Sequence, residues 1–176
     1  PSDGVALQLD ASHTAVAAAL QEILPPVDAA FRTHWDTKVG HAQDVLSSTL
    51  AGWGEMSEAH VAQAVASAYS DFIFVGNGLP IRHLEAYVGT LRVPVYGQRG
   101  LNGIDGLFAQ AAGMASVKGR GLVFVGDVSA RHDIGSLERA AQAGLRVVVL
   151  HNGGGRIFEA LPMQDTLTSA HKAHFT

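Results

Sequence analysis

The chain has 176 residues, 47% of them hydrophobic, enough to bury a core and to fold as one domain with an appendage. Twelve basic against sixteen acidic side chains give a formal charge of −4, so no polyanion partner such as nucleic acid is indicated, and any bound phosphate must be gripped locally. Cysteine is absent, which excludes a disulfide framework and thiolate metal sites and is compatible with the expected cytoplasmic location. Apolar runs such as Val147 to Leu150 fall far short of the roughly 20 residues of a membrane helix. The opening Pro-Ser-Asp-Gly shows no signal peptide's basic start or apolar stretch.

In chain order, alanine-rich stretches from Thr14 to Leu24 and from Ala59 to Tyr69 carry apolar residues at helical spacing. Pro25-Pro26, Gly52 and Gly54 separate them, and the part before residue 70 reads as helices and connecting chain. Ser57, followed by Glu58, is the expected N-cap of the second helix. From Asp71 onward, short β-rich runs alternate with helical segments: Phe72 to Val75, Leu122 to Val125 and Arg146 to Leu150. Such runs are read as buried parallel strands, each followed by glycine or asparagine and then a helix. They predict an α/β fold, an open parallel sheet with helices on both faces, preceded by a helical segment. Gly106, Ala109, Ala112 and Gly113 form a small-residue helix face suited to close packing, at a subunit contact or internally.

Ligands of such sheets sit at the carboxyl ends of strands. Three ends therefore matter: Gly76-Asn77-Gly78, Gly126-Asp127-Val128-Ser129 and His151-Asn152-Gly153-Gly154-Gly155. A lone Gly-Asp after a strand is usually a turn. Asp127 and Asn152, however, lie 25 residues apart, the length of one crossover through a helix, so two oxygen ligands are expected to emerge side by side. A carboxylate and an amide oxygen, completed by a backbone carbonyl of the glycine run, water and two phosphate oxygens, form the octahedral all-oxygen shell that magnesium prefers. Gly153, Gly154 and Gly155 let the backbone approach a ligand closely. A helix starting near Asp133 is expected to aim free N–H groups at the same anion. The spacing of Gly100, Gly103 and Gly106 lacks the Gly-x-Gly start of a dinucleotide fingerprint. His171 and His174 lack a nearby third ligand and are read as surface residues.

Gly-Asp-x-Ser, followed by an asparagine at the next strand end, resembles the thiamine-diphosphate motif of the decarboxylase and carboligase superfamily. Four blocks narrow the resemblance: Gly76-Asn77-Gly78-Leu79-Pro80-Ile81-Arg82; Arg99-Gly100-Leu101-Asn102-Gly103-Ile104-Asp105-Gly106; Gly126-Asp127-Val128-Ser129 with His132-Asp133; and Asn152-Gly153-Gly154-Gly155-Arg156-Ile157-Phe158 through Leu161-Pro162. In this order they resemble consecutive signatures of the SEPHCHC synthases (2-succinyl-5-enolpyruvyl-6-hydroxy-3-cyclohexene-1-carboxylate synthases) of menaquinone biosynthesis.

The resemblance implies the C-terminal region of such an enzyme. Residues 57–176 would be its thiamine-diphosphate domain, incomplete at the C-terminus, and residues 1–56 the tail of the preceding central domain. The implied activity is a transferase that decarboxylates 2-oxoglutarate and adds the product carbanion to isochorismate. By match to the family motifs, Asp127 and Asn152 hold Mg2+ through their side chains and Gly154 through its carbonyl. Gly126, Ser129, Asn152 and Gly154 contact thiamine diphosphate, and Ile104 wedges that cofactor into its bent form. Arg82 and Arg99, each expected inside a glycine-bounded loop at a strand end, match arginines that grip isochorismate carboxylates, a task suited to a planar guanidinium. Ile157, Phe158 and Leu161 match an apolar wall beside the substrate. The plainer readings are a core isoleucine, solvated arginines and a buried helix start.

No catalytic residue is assigned. The resemblance implies that the activating glutamate comes from the N-terminal pyrimidine-binding domain of a second subunit, in a homodimer or homotetramer; Glu22, Glu55, Glu58, Glu85, Glu138 and Glu159 lie in no matching motif. The chain alone is expected to be inactive. Gly78 stands where the family usually has serine, Gln98 and His151 where it usually has asparagine, and Arg156 at a variable position. Two rivals follow: another thiamine-diphosphate-dependent 2-oxoacid decarboxylase or carboligase, and a non-catalytic thiamine-diphosphate-binding module.

Overall fold

The computed structural model describes residues 10–98, 100 and 103–160, which fall into two compact units dividing between Val45 and Leu46. The first unit is helical. Helix α1 (His13–Ile23) is capped by Ser12, whose Oγ accepts the Ala15 N–H at 3.2 Å and satisfies one of the donors a helix start leaves open. It stops ahead of Pro25-Pro26, because proline disfavours the helical conformation in the residue before it. Helix α2 (Ala29–Gly52) fills what the sequence suggests is connecting chain. Phe31, Trp35 and Val39 in its first half recur every fourth position among polar neighbours and are exposed, so the stripe is too narrow to stand out.

The second unit begins its α/β pattern at α3 (Glu58–Ser67). Ser57 is the N-cap, as expected, and the reciprocal side chain is His60, whose Nδ1 accepts the Ser57 N–H at 3.1 Å. The His60 Nε2 donates to the Leu50 carbonyl at 3.0 Å, which fixes the tautomer. There follow β1 (Phe72–Val75), α4 (Leu79–Tyr87), β2 (Val95–Gly97), α5 (Leu107–Lys118), β3 (Gly121–Gly126), α6 (Asp127–His132), α7 (Leu137–Gln142) and β4 (Arg146–Leu150). The four strands form one parallel sheet in the order β2-β1-β3-β4. No described helix is long and apolar enough to cross a membrane.

Side chains along a strand alternate between faces, so runs that are apolar at every position require cover on both sides. The sheet has that cover. Ile73, Val75, Leu122 and Phe124 pack with Ala62 and Val65 of α3 and Leu84 of α4. Phe72, Phe74, Val123 and Val125 pack on the opposite face with Leu107, Phe108 and Ala111 of α5 and Ala140 of α7. Gly121 is required for this closeness: a Cβ there would come within 2.3 Å of the Phe72 ring.

Three details differ from the sequence reading, and one that it left open, the small-residue face of α5, is narrowed. β2 was not expected, because an edge strand of three residues behind Pro94 carries too little apolar pattern. β4 is not buried throughout. Among the described residues it pairs with β3 alone, and Arg146 and Val149 are exposed. α5 buries Leu107, Phe108 and Ala111, leaving the Gly106, Ala109, Ala112 and Gly113 face on the opposite side, where Gly113 is exposed. Finally, the helix after β3 starts at Asp127 itself and not near Asp133.

Asp133 has another task. It is buried at the far end of α6, where its Oδ2 accepts the Phe108 N–H at 2.7 Å and its Oδ1 accepts the Ser136 hydroxyl at 2.8 Å. One carboxylate thereby ties the start of α5 to the 3-10 turn Ile134–Ser136. Removing it strands a buried N–H donor, which costs about 1–3 kcal/mol. Asp133→Ala is expected to lower the free energy of unfolding by about that amount in urea denaturation, and Asp133→Asn, which keeps one acceptor, by less.

Candidate functional site

The chain leaves β1 toward β2 on one side and β3 toward β4 on the other, so the sheet order reverses between β1 and β3. Open α/β sheets bind ligands in the crevice outside such a reversal. A cavity of about 370 Å³ lies there. Asn77 and Gly78 line it from the end of β1, Gly126, Asp127 and Ser129 from the end of β3, and Asn152 from beyond β4. Leu79, Leu150, Ile104, Ile157 and Phe158 supply apolar wall. Few polar groups in an apolar concavity is the usual composition of a small-molecule site.

Asp127 organises the polar end. Its Oδ1 accepts the Val128 N–H at 2.8 Å; its Oδ2 accepts the N–H groups of Gly154 at 2.8 Å and Asn152 at 3.2 Å, and the His151 Nδ1 at 2.7 Å. Burial pushes its pKa up, but the hydrogen bonds from His151, Val128, Gly154 and Asn152 together outweigh burial and hold the carboxyl below its ordinary range. One of those donors, the Gly154 N–H, lies on a backbone that only glycine follows easily: Gly153, Gly154 and Gly155 have φ of +89°, +82° and +58°. The loop after β4 thus folds back over the end of β3. The Arg156 Nε closes it further by donating to the Asn152 carbonyl at 2.6 Å.

The donor set is informative. Among the described residues no three His, Cys, Asp or Glu side chains gather around one point, so a cation here would find one carboxylate and neutral oxygens. That suits a hard ion that arrives with oxygen ligands of its own, as magnesium does with a diphosphate, and it does not suit zinc. The residues present fit that group.

The structure gathers most of the expected site residues around one cavity: Ile104, Gly126, Asp127, Ser129, Asn152, Ile157 and Phe158 all line it. Gly154 reaches the site through its N–H on Asp127 and is itself buried. Arg82 is not in a loop. It lies in the first turns of α4, and its Nη1 donates to the carbonyls of Asn77 and Gly78, both at 2.8 Å, so its guanidinium closes the turn that borders the cavity. Arg99 and Leu161 lie outside the described residues, as do His171 and His174.

Two residues with no sequence motif join the site. Glu58, the first residue of α3, accepts the Asn152 Nδ2 at 2.7 Å and the His83 Nε2 at 2.5 Å. His83, on α4, stacks on Tyr87 with ring centroids 5.5 Å apart. Glu58 and Asn152 are separated by 94 residues, and the only local signal in Glu58 is its place after an N-cap serine.

No protein-family model matches the chain. Curated relatives do. The chain is 33% identical over 170 residues to the SEPHCHC synthase of Shewanella loihica, an overlap that covers 90% of this chain and 30% of that protein. It is 41% identical over 142 residues to the SEPHCHC synthase of Yersinia pseudotuberculosis, covering 74% and 24% of the two. It is 42% identical over 117 residues to that of Shewanella amazonensis, covering 62% and 20%. The chain spans less than a third of the length of these relatives. By sequence, and over that part of their length, it belongs to the SEPHCHC synthase family.

Proposed function

We propose that this chain is the diphosphate- and magnesium-binding part of a thiamine-diphosphate-dependent carboligase that decarboxylates 2-oxoglutarate and adds the product to isochorismate, forming SEPHCHC in menaquinone biosynthesis. One observation carries the reading: a hydrogen-bonded carboxylate and an amide side chain stand at the ends of neighbouring parallel strands, on one apolar cavity. Thiamine diphosphate, when bound, supplies the electron sink for decarboxylation, and the protein supplies binding and orientation.

The roles follow from where the side chains stand. Asp127 and Asn152 would hold Mg2+, with the Gly154 carbonyl as the backbone ligand. Three backbone N–H groups and His151 already hold the Asp127 carboxylate, so little ordering is left to be done on binding. The His151 side chain is largely exposed, so a cation can displace its imidazole from Asp127 without disturbing the core. Gly126 and Ser129 would flank the diphosphate, and Ile104 would support the bent cofactor. Ile157 and Phe158, with Leu161, would exclude water beside the acceptor. Arg82 and Arg99 would pair with its carboxylates, and for Arg82 this requires release from the Asn77 and Gly78 carbonyls.

No glutamate lines the cavity among the described residues. In line with the family resemblance, the activating glutamate is assigned to a pyrimidine-binding domain of a partner subunit, in a homodimer or homotetramer, and the chain by itself is expected to bind cofactor without turnover. A second reading, a carboligase with another acceptor, is favoured by Gly78. It faces the cavity with no hydroxyl to offer a substrate.

Three outcomes are expected. Calorimetric titration should show Mg2+-dependent binding of thiamine diphosphate, lost in Asp127→Ala; equal binding by both would overturn the metal assignment. Product analysis with the cofactor, the glutamate-bearing domain and 2-oxoglutarate should show SEPHCHC only when isochorismate is present; decarboxylation indifferent to isochorismate would select the second reading. The third outcome concerns pH. Asp127 titrates below its ordinary value of 3.8 in the folded chain, so its stabilising contribution is complete above that value and is lost as pH falls through the lower folded value. The stability difference between wild type and Asp127→Asn, measured by urea denaturation, should be constant above about pH 5 and should shrink as the solution is acidified below 3.8.

A further inference from the structure

Glu58 stands outside every motif and outside the cavity wall, yet it touches Asn152, a side chain at the site whose two ends are chemically opposite. The Asn152 amide carries a donor and an acceptor of nearly equal shape, and only the acceptor can serve a cation. A carboxylate accepts and does not donate. The Glu58 Oε1, 2.7 Å from the Asn152 Nδ2, therefore admits one orientation of the amide and rejects the flipped one, which would set two oxygens against each other. With Nδ2 committed to Glu58, Oδ1 is the atom left for the cavity that Asn152 lines.

The carboxylate is itself fixed. Its second oxygen takes the His83 Nε2, and His83 is mostly buried and stacked on Tyr87 at an interplanar angle of 25°. Glu58 also occupies the first turn of α3, where the helix dipole favours negative charge. The chain from Tyr87 through His83 and Glu58 to Asn152 thus joins α3 and α4 to the loop after β4.

We infer that Glu58 is a positioning residue for the cation site: it polarises and orients the Asn152 amide so that the carbonyl oxygen faces the metal. The inference rests on the proposed Mg2+ and thiamine-diphosphate site and adds to it a residue that no motif identifies. Outer partners of metal ligands typically contribute about 10–100-fold to metal affinity.

A charge-swap experiment tests it, read by isothermal titration of thiamine diphosphate and Mg2+ into the full chain, with circular dichroism confirming the fold of each variant. Asn152→Asp supplies a stronger cation ligand in isolation, but against Glu58 it sets carboxylate against carboxylate and should weaken binding about 10–100-fold. Adding Glu58→Gln to Asn152→Asp should recover most of that loss, because a glutamine amide can donate where Glu58 could not. Glu58→Ala alone should weaken binding over the same range. If Asn152→Asp binds equally well with Glu58 and with Glu58→Gln, the inference is overturned while the site stands. If the wild-type chain shows no Mg2+-dependent binding, the site itself is wrong and the inference falls with it.

Discussion

Asp127 accepts hydrogen bonds from its own helix start and from the loop beyond the neighbouring strand, and the rest of the site is arranged around that carboxylate. Three of its four donors belong to residues 151–154, so the end of β3 and the loop after β4 are held as one unit. A carboxylate offers about four acceptor positions, and here four are in use. Such saturation explains why its protonation is disfavoured despite partial burial. It also makes the glycine run necessary, since the Gly154 donor lies on backbone that bends through positive φ.

The sheet supplies rigidity for this arrangement. β1 and β3 are buried along almost their whole length and clamped by helices on both faces, so the points at which Asn77, Asp127 and Asn152 emerge are set by parallel ladders and not by loop conformation. Groups on strand ends are placed more reproducibly than groups on loops, which suits a site that must hold a ligand to within about half an ångström. Asp133 extends the same logic by joining the start of α5, just beyond Ile104, to the segment that follows α6.

Polar cross-links between distant segments recur around the cavity. Glu58 connects α3 to Asn152, His83 connects α4 to Glu58, Arg82 closes the turn after β1, and Arg156 closes the loop after β4. Each satisfies a backbone or side-chain polar group beside the cavity. Departures from the family pattern occur on both sides of the cavity: Gly78 faces it from the β1 side, and His151 hydrogen-bonds Asp127 beside Asn152.

Sequence alone determined the fold class and the two strand ends that matter. Two runs apolar at every position, Phe72 to Val75 and Leu122 to Val125, require a sheet covered on both faces, and an interval of one crossover brings Asp127 and Asn152 to adjacent ends, because side-chain alternation and chain geometry leave little choice. The helix cap at Ser57 was legible for the same local reason. What only tertiary structure decided depends on residues far apart in the chain: the pairing of Glu58 with Asn152, the capping of α5 by Asp133, the turn of Arg82 onto Asn77 and Gly78, and the exposure of β4. A hydrogen bond between segments leaves no periodicity behind. An acidic residue after an N-cap serine looks the same in sequence whether it faces water or holds an amide in place.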